Sequence, residues 1–296
     1  MLFRQLEYFV ALARERHFAR AAQACYVSQP ALSEAVRKLE RELDVPLVRR
    51  GSSFEGLTPE GERLVLWARR ILADRDALEH EVTALRTGLT GDLRLGVIPA
   101  ATISVARLID PFCALHPLVR VTVETGLRSA EIVGRLQRFE LEAGVVFTDG
   151  VDTEGLTLTP LYRERHVLVG SAELLPDGPL TWADAVGLPL CLLHSGMRGR
   201  DRIDEAASPH GLTVVPRLEC DSVATLLALV DTGHWASIVP RAWLSGHRAQ
   251  PGMRIVELDG APLGGDVALV RRAGEPASVL ATALQESLRS ERAGAR

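Results

Sequence analysis

Lysine is nearly absent from the sequence, cysteine is sparse, and no hydrophobic run is long enough to cross a bilayer. Lys38 is the only lysine among 34 basic residues, a bias that GC-rich coding explains better than a need for bidentate phosphate contacts. The N-terminus carries charged residues where a signal peptide has its apolar core. We therefore expect a cytoplasmic protein that does not associate with membranes.

The four cysteines show no CxxC spacing and have no histidine at ligand spacing, so we expect neither a disulfide framework nor a zinc site. They are Cys25, Cys113, Cys191 and Cys220. Cys191 and Cys220 could form a redox pair in principle, but cysteines in an apolar context are more often inert parts of a core.

Catalytic motifs are missing as well. The sequence has no G-x-S-x-G elbow, no phosphate loop, no G-x-G-x-x-G and no H-E-x-x-H. His194 and Ser195 come nearest to a nucleophile with its base, but adjacent residues on a strand point to opposite faces and cannot pair. We therefore predict that the protein is not an enzyme and has no metal site.

A chain of 296 residues is long enough for two or three domains. The net charge of −4 argues against a nucleic-acid partner, but it is unevenly spread. Residues 1–90 hold 14 basic and 13 acidic side chains, and the remainder holds 20 and 25. Any affinity for DNA must therefore depend on where the arginines lie.

The stretch from Phe18 to Val48 has the pattern of a helix, a tight turn and a second helix. Small alanines fill the first helix, and the turn falls at Tyr26 to Ser28. Ser28 is a suitable N-cap, and Pro30 gives up only an N–H that has no partner within a helix. A unit of this kind can place its second helix in the major groove of DNA.

The second helix has one apolar and one polar face. Leu32, Val36, Leu39 and Leu43 repeat at spacings of four, three and four, as in an amphipathic helix packed on a core. The opposite face carries side chains that can reach base edges or phosphates: Gln29, Ser33, Arg37 and Arg41. A first helix, with its apolar face at Leu2, Leu6, Phe9, Val10 and Ala13, would support this pair from behind.

After Pro46, two short extended pieces flank a glycine- and serine-rich turn and predict a hairpin. The pieces are Leu47 to Arg50 and Phe54 to Leu57, and the turn comprises Gly51, Ser52, Ser53 and Gly56. Arg49 and Arg50 at the base of this wing could reach phosphates or a minor groove; a solvated loop is the alternative.

Thr58 and Pro59 then begin a long helix that should continue to Arg86. Its apolar residues follow one another at near-heptad spacing: Leu64, Ala68, Ile71, Leu78, Val82 and Leu85. Such a seam has nothing local to bury against, so we expect a homodimer formed through this helix.

From Asp92 onward, strands of period two alternate with helices and predict βαβ units around a mostly parallel sheet. The expected elements include helices from about Thr102 to Leu115 and from Ser129 to Phe139, and a strand from Leu161 to Val169. Polar loops at strand ends are where ligands bind in such folds, because helix N-termini add free amides there. Those loops supply Ala100, Thr102, Thr148, His194, Ser195 and Ser222, and Leu127 completes the candidate set. A small carboxylate or another anion would suit them, with no cofactor; hydroxyls that only cap helices are the alternative for Thr102, Ser104 and Ser222.

These features resemble the LysR-type transcriptional regulators. The resemblance is dense over about the first 65 residues, where the chain has FARAA at 18–22, VSQPALS at 27–33, VPL at 45–47 and LTPEG at 57–61. It is looser beyond them, at LYRE from 161, Asp221-Ser222 and SIVP from 237.

The resemblance implies a winged helix-turn-helix over residues 1–58, a linker helix over 59–88 and a periplasmic-binding-protein-like effector domain over 89–296. The effector domain would comprise subdomain I (about 92–161 and 268–296) and subdomain II (about 162–267). The DNA-reading residues would be Ser28, Gln29, Pro30, Ser33, Arg37, Arg49 and Arg50. The implied partners are double-stranded DNA, a small-molecule effector, RNA polymerase and further copies of the chain, up to a homotetramer.

Three positions depart from the family pattern: Val48 replaces a phenylalanine, Glu34 replaces a basic or polar residue, and Ala100-Ala101 replaces a hydroxyl. Glu34 could accept from cytosine or repel phosphate. Two other classes are compatible with the composition, namely a solute-binding or enzymatic α/β protein with a helical extension and an architectural DNA-binding protein.

Overall fold

The computed structural model describes residues 1–50, 54–176, 178, 180–244, 252–259, 263–274 and 277–294. The chain forms two compact units: an N-terminal unit, Met1–Leu89 with the short segment Gln137–Glu140, and a C-terminal unit, Thr90–Leu136 and Leu141–Arg296. No helix in the described ranges is both long enough and apolar enough to span a membrane.

Three helices form the body of the N-terminal unit: α1 (Phe3–Glu15), α2 (Phe18–Ala24) and α3 (Gln29–Leu43). They meet in one core that confirms the predicted apolar stripe, since Leu32, Val36 and Leu39 are completely buried. Leu43 packs at the margin of the same core. The helix ends at Leu43 because Asp44 adopts a left-handed backbone conformation.

The predicted wing is present as two antiparallel strands, β1 (Val48–Arg50) and β2 (Phe54–Leu57), with Val48 opposite Leu57. The predicted turn residues Gly51, Ser52 and Ser53 lie outside the described residues. Gly56, also placed in the turn from the sequence, instead lies within β2. Its φ of 122° suits only glycine.

Helix α4 (Pro59–Thr87) begins as predicted, with the Thr58 hydroxyl accepting from the Gly61 N–H at 2.9 Å. The expectation that its whole seam lacks a local partner was wrong, because the first half packs on the N-terminal core through Leu64, Val65, Ala68 and Ile71. The second half is free of that core. Leu78, Val82 and Leu85 are 61%, 48% and 85% exposed.

The C-terminal unit contains a first sheet of five strands in the order β4-β3-β5-β12-β6. Its strands are β3 (Gly91–Val97), β4 (Val119–Thr125), β5 (Ala143–Phe147), β6 (Leu156–Arg163) and β12 (Asp266–Arg272). Strands β3, β4 and β5 are parallel, but β12 runs antiparallel to both β5 and β6. Four of the five strands described therefore run in one direction, and this sheet is mostly parallel, as predicted; β12 is reversed because it returns from the other half of the unit. Its helices are α5 (Val105–Leu115), α6 (Ser129–Gln137) and α10 (Val279–Gly294).

The second half of the unit is built on the antiparallel order β10-β7-β11, with a separate parallel pair β8-β9. These strands are β7 (His166–Ser171), β8 (Cys191–Leu193), β9 (Leu218–Cys220), β10 (Ser237–Pro240) and β11 (Met253–Val256), with helices α7 (Trp182–Val186), α8 (Arg198–Ala207) and α9 (Val223–Asp231).

Two further predictions from the sequence need correction here. The helix expected from Thr102 begins at Val105, because a 3-10 turn at Pro99–Ala101 intervenes. The strand expected from Leu161 to Val169 is two strands. The chain leaves the first sheet after Arg163 and enters the second at His166, so Glu164 and Arg165 form a crossover between the halves.

Candidate DNA-reading surface and ligand cavity

The N-terminus of α3 is capped and exposed. Ser28 Oγ accepts from the Ala31 N–H at 3.4 Å, so this hydroxyl serves the helix as predicted. Gln29 and Pro30 follow it in the first turn and are exposed. Because the first turn carries unpaired N–H groups and a partial positive charge, it is suited to approach a phosphate backbone.

The exposed face of α3 is more crowded with charge than its sequence suggested. Arg37 is exposed and Ser33 is half-buried beside it. Glu34 Oε1 accepts from Arg41 Nη2 at 2.5 Å, and its other oxygen lies 3.9 Å from Arg37 Nη1. Glu34 therefore holds Arg41 and lies near Arg37, and it reduces the positive charge that this face offers.

In the wing, Arg49 is exposed, yet its Nε donates to the Leu57 carbonyl at 2.8 Å. This bond fixes the guanidinium against the neighbouring strand. The backbone of Arg50 belongs to β1, whereas its side chain lies outside the described part. The roles of all seven residues in DNA reading stay predictions.

A cavity that is partly open to solvent lies between the two halves of the C-terminal unit. The first half contributes the 3-10 turn, the N-terminus of α6 and the end of β5, and the second half contributes β7, β8, α8, α9 and β10. Trp243 Nε1 donates to the Ala100 carbonyl at 2.8 Å and so ties the halves together beside the cavity. The wall is mainly apolar: Ile98, Pro99, Ala100, Leu127, Phe147, Leu193, Met197, Ile203, Leu226, Ile238, Pro240 and Trp243.

Among the residues whose side chains the structure describes, two arginines line this cavity, and they differ in what they bind. Arg200 is buried and already engaged by Asp204 at 3.1 Å, Glu219 at 2.5 Å and two backbone carbonyls. Arg128 is exposed and precedes α6, and its side chain forms no hydrogen bond or ion pair with the described residues. Gly196 leaves it room, since a Cβ built there would lie 3.1 Å from Arg128 Nη2. Of these two arginines, Arg128 is the one whose guanidinium is available to a ligand.

Of the effector residues proposed from the sequence, Ala100 and Leu127 line the cavity. Thr102, Thr148, His194, Ser195 and Ser222 are not among its lining residues. The Ser222 hydroxyl accepts from the Thr225 N–H and caps α9, the alternative weighed for it. Ser104 does not cap α5 with its side chain; its hydroxyl pairs with the Tyr162 hydroxyl at 2.8 Å. Whether any of these residues touches an effector stays a prediction.

Sequence reasoning did not propose Arg128, Arg200 or His166. Arg128 directly precedes Ser129, the predicted start of a helix. A basic residue beside a helix N-terminus is a sequence signal for an anion-binding site. His166 gave no such signal, because its position in the wall depends on where the crossover enters the second sheet.

A buried polar cluster stands behind His166. Glu164 Oε1 lies 3.2 Å from His166 Nδ1, and both side chains are almost fully buried. Burial raises the pKa of Glu164 to about 8 and lowers the pKa of His166 to about 4, so both groups are neutral near pH 7. Arg202 joins the cluster: it donates to the Gly264 carbonyl and to Asp149, and its guanidinium lies 4.4 Å from the centroid of the Phe147 ring.

Cys191 and Cys220 lie on the neighbouring strands β8 and β9, where Cys191 is opposite Leu218 and Cys220 is opposite Leu193. Burial is the main cause that raises the pKa of Cys191 to about 12, and it also raises the pKa of Cys220. Both are free thiols and stay protonated at neutral pH, which makes them weak nucleophiles.

A capped helix-turn-helix with a wing, a long helix with an exposed apolar end, and a two-part α/β unit around a cavity define a ligand-responsive DNA-binding regulator. Residues 3–62 match the family described as bacterial regulatory helix-turn-helix protein, lysR family, and residues 86–293 match the LysR substrate binding domain. The chain belongs to the LysR family of transcriptional regulators. The expected fold class, family and absence of enzymatic function are thereby confirmed.

The chain resembles several full-length regulators. It is 30% identical to the HTH-type transcriptional regulator EstR of Acinetobacter baylyi, over 92% of this chain and 91% of that protein. It is 29% identical to the DNA-binding transcriptional dual regulator OxyR of Escherichia coli K12, over 99% and 97%. Among solved structures, a full-length OxyR from Pseudomonas aeruginosa, in which one cysteine is replaced by aspartate, matches with a TM-score of 0.76 at 27% identity, covering 98% of this chain and 95% of that one.

Proposed function

We propose that the cavity of the C-terminal unit binds a small organic anion with an apolar body, and that this effector controls transcription of target genes. The observation that carries the proposal is a difference between two arginines that line the cavity. The guanidinium of Arg200 is already bound by acidic side chains, whereas that of Arg128 is available to a ligand. A carboxylate beside Arg128 would gain charge-assisted hydrogen bonds, while the apolar wall would bury the rest of the ligand.

The proposal extends to assembly and place of action. Leu78, Val82 and Leu85 form an exposed apolar stripe on α4, which supports a homodimer through paired copies of that helix. Two such dimers would form a tetramer that bends DNA between its half-sites and acts with RNA polymerase in the cytoplasm. Effector binding would shift the arrangement of subunits and so the bend.

A peroxide response, as named for several relatives, is not our proposal for this chain. That chemistry uses a reactive thiolate, and burial raises the pKa of both Cys191 and Cys220, which disfavours the thiolate form. We propose instead that a ligand bound in the cavity triggers the response.

The effector proposal is tested by thermal shift with benzoate, phenylacetate and hexanoate, each paired with its neutral amide. At least one carboxylate should raise the unfolding temperature of the wild type more than its amide does. Arg128→Ala should abolish that difference, whereas Arg120→Ala, an exposed arginine on β4, should preserve it. Equal stabilisation by acid and amide, or an unchanged response in Arg128→Ala, would contradict the assignment.

A further inference from the structure

Tyr26 closes helix α2 in an unusual conformation. Its N–H donates to the Gln23 carbonyl at 3.1 Å, and the next N–H, of Val27, donates to the Ala22 carbonyl at 3.0 Å. These two bonds form a Schellman motif, in which the residue after the C-cap takes a left-handed backbone. Tyr26 occupies that position, with φ of 56°.

Glycine usually fills this position because it has no Cβ to clash. A tyrosine there costs the fold about 1 kcal/mol. Its ring gives little in return, since 96% of Tyr26 is exposed. The apolar contact of the motif comes instead from its neighbours Ala22 and Val27, which pack in the core. Folding therefore does not explain why a large aromatic residue stands at this point.

The place of Tyr26 does offer an explanation. Val27 anchors the turn in the core, and Ser28 then caps α3, so the exposed ring stands immediately before the first turn of α3. In helix-turn-helix proteins the N-terminal residues of the second helix meet base edges, and the residues around them meet phosphates at the rim of the groove. Strain at an exposed residue beside a binding surface indicates a functional contact.

We propose that Tyr26 contacts the DNA backbone, with its phenolic hydroxyl donating to a phosphate oxygen at the edge of the groove that α3 enters. The inference rests on the DNA-reading role of α3. A phenol suits this task, since it is a neutral donor on a rigid ring and loses little conformational entropy on binding.

The test uses the full-length chain and two fluorescein-labelled duplexes, one selected by the wild type from a random-sequence library and one scrambled. Tyr26→Phe should weaken binding to both about 3- to 10-fold, the effect of one lost hydrogen bond. The slope of affinity against salt should stay at the wild-type value, because a neutral hydroxyl displaces no counterion. A weakening confined to the selected duplex would instead indicate a base contact and overturn the phosphate assignment.

Tyr26→Gly separates binding from folding. Because glycine relieves the left-handed strain, this variant should unfold at the wild-type temperature or higher and still bind both duplexes more weakly. Wild-type affinity in both Tyr26 variants would overturn the proposal. The wild type tests α3 itself: if it binds the selected duplex no more tightly than the scrambled one, the DNA-reading role of α3 fails, whatever the Tyr26 variants do.

Discussion

Glu164 Oε1 lies 3.2 Å from His166 Nδ1 behind the wall of the ligand cavity, at the point where the chain crosses from one half of the C-terminal unit to the other. The two groups meet out of contact with water and are both neutral near pH 7. Neither Glu164 Oε1 nor His166 Nδ1 forms a hydrogen bond with the described residues. Because burial raises the pKa of Glu164, the folded unit holds a proton that the unfolded chain releases, and this links the stability of the unit to pH.

Replacing Glu164 by glutamine should remove part of that link. The pKa of Glu164 rises from 4.5 unfolded to about 8 folded, so its contribution is complete below pH 4.5 and is lost as the pH rises through 8. The lowered pKa of His166 acts in the opposite direction and only below pH 6.5. Between pH 6.5 and 8 the wild type should therefore lose stability, and Glu164→Gln should not.

Urea denaturation across this pH range measures the effect. The unfolding free energy of Glu164→Gln minus that of the wild type should grow by roughly 1.4 kcal/mol for each pH unit between 6.5 and 8. Glu131→Gln, at an exposed position on α6, serves as the control and should run parallel to the wild type. If the unfolding free energies of Glu164→Gln and the wild type also changed in parallel with pH, Glu164 would not be protonated in the folded unit.

Arg37→Ala should weaken DNA binding and flatten its salt dependence. If Arg37 neutralises one phosphate, its loss should reduce the slope of log affinity against log salt by about 0.9. Fluorescence anisotropy across a salt series measures this change. Arg120→Ala removes the same charge from the other unit and should leave the slope unchanged. An unaltered slope in Arg37→Ala would remove Arg37 from the interface.

Glu34→Gln should strengthen DNA binding. The substitution removes a negative charge from the reading face and releases Arg41, which Glu34 holds at 2.5 Å. The affinity for a scrambled duplex should rise several-fold, with a steeper salt dependence. If Glu34 instead accepts a hydrogen bond from cytosine, the variant would lose affinity for the selected duplex alone, and our interpretation of the ion pair would fail.

Leu85→Asp should convert the proposed dimer to monomer, because a carboxylate in a paired apolar seam would be buried without a partner. Sedimentation velocity gives the molar mass directly. Thr83→Asp adds the same charge away from Leu78, Val82 and Leu85 and should keep the wild-type mass. A wild-type mass for Leu85→Asp would place the dimer contact elsewhere.

The N-terminal unit could be predicted closely from the sequence because its signals are local. The cap at Ser28, the stripe from Leu32 and the cap at Thr58 each act within a few residues of the chain. Besides the position of Gly56, the first half of the seam on α4 was misjudged, since its contact with α1 joins distant segments.

The cavity is different, because segments far apart in sequence meet there. Arg128 and Arg200 look alike in sequence, and only the folded positions of Asp204 and Glu219 show which of them is engaged. The reversed direction of β12 could not be predicted for the same reason, since it depends on the path of the chain through the second half. Hydroxyls at strand ends were predicted to bind the ligand. At Ser222, however, the hydroxyl caps helix α9.

The central claim is that α3 of this chain reads a specific DNA sequence as part of a two-fold assembly. A genome-wide map of bound sites at nucleotide resolution tests it most directly. We predict discrete sites that contain two related half-sites about one helical turn, or a multiple of it, apart. Uniform coverage of the chromosome, or single sites without a second half, would contradict the account.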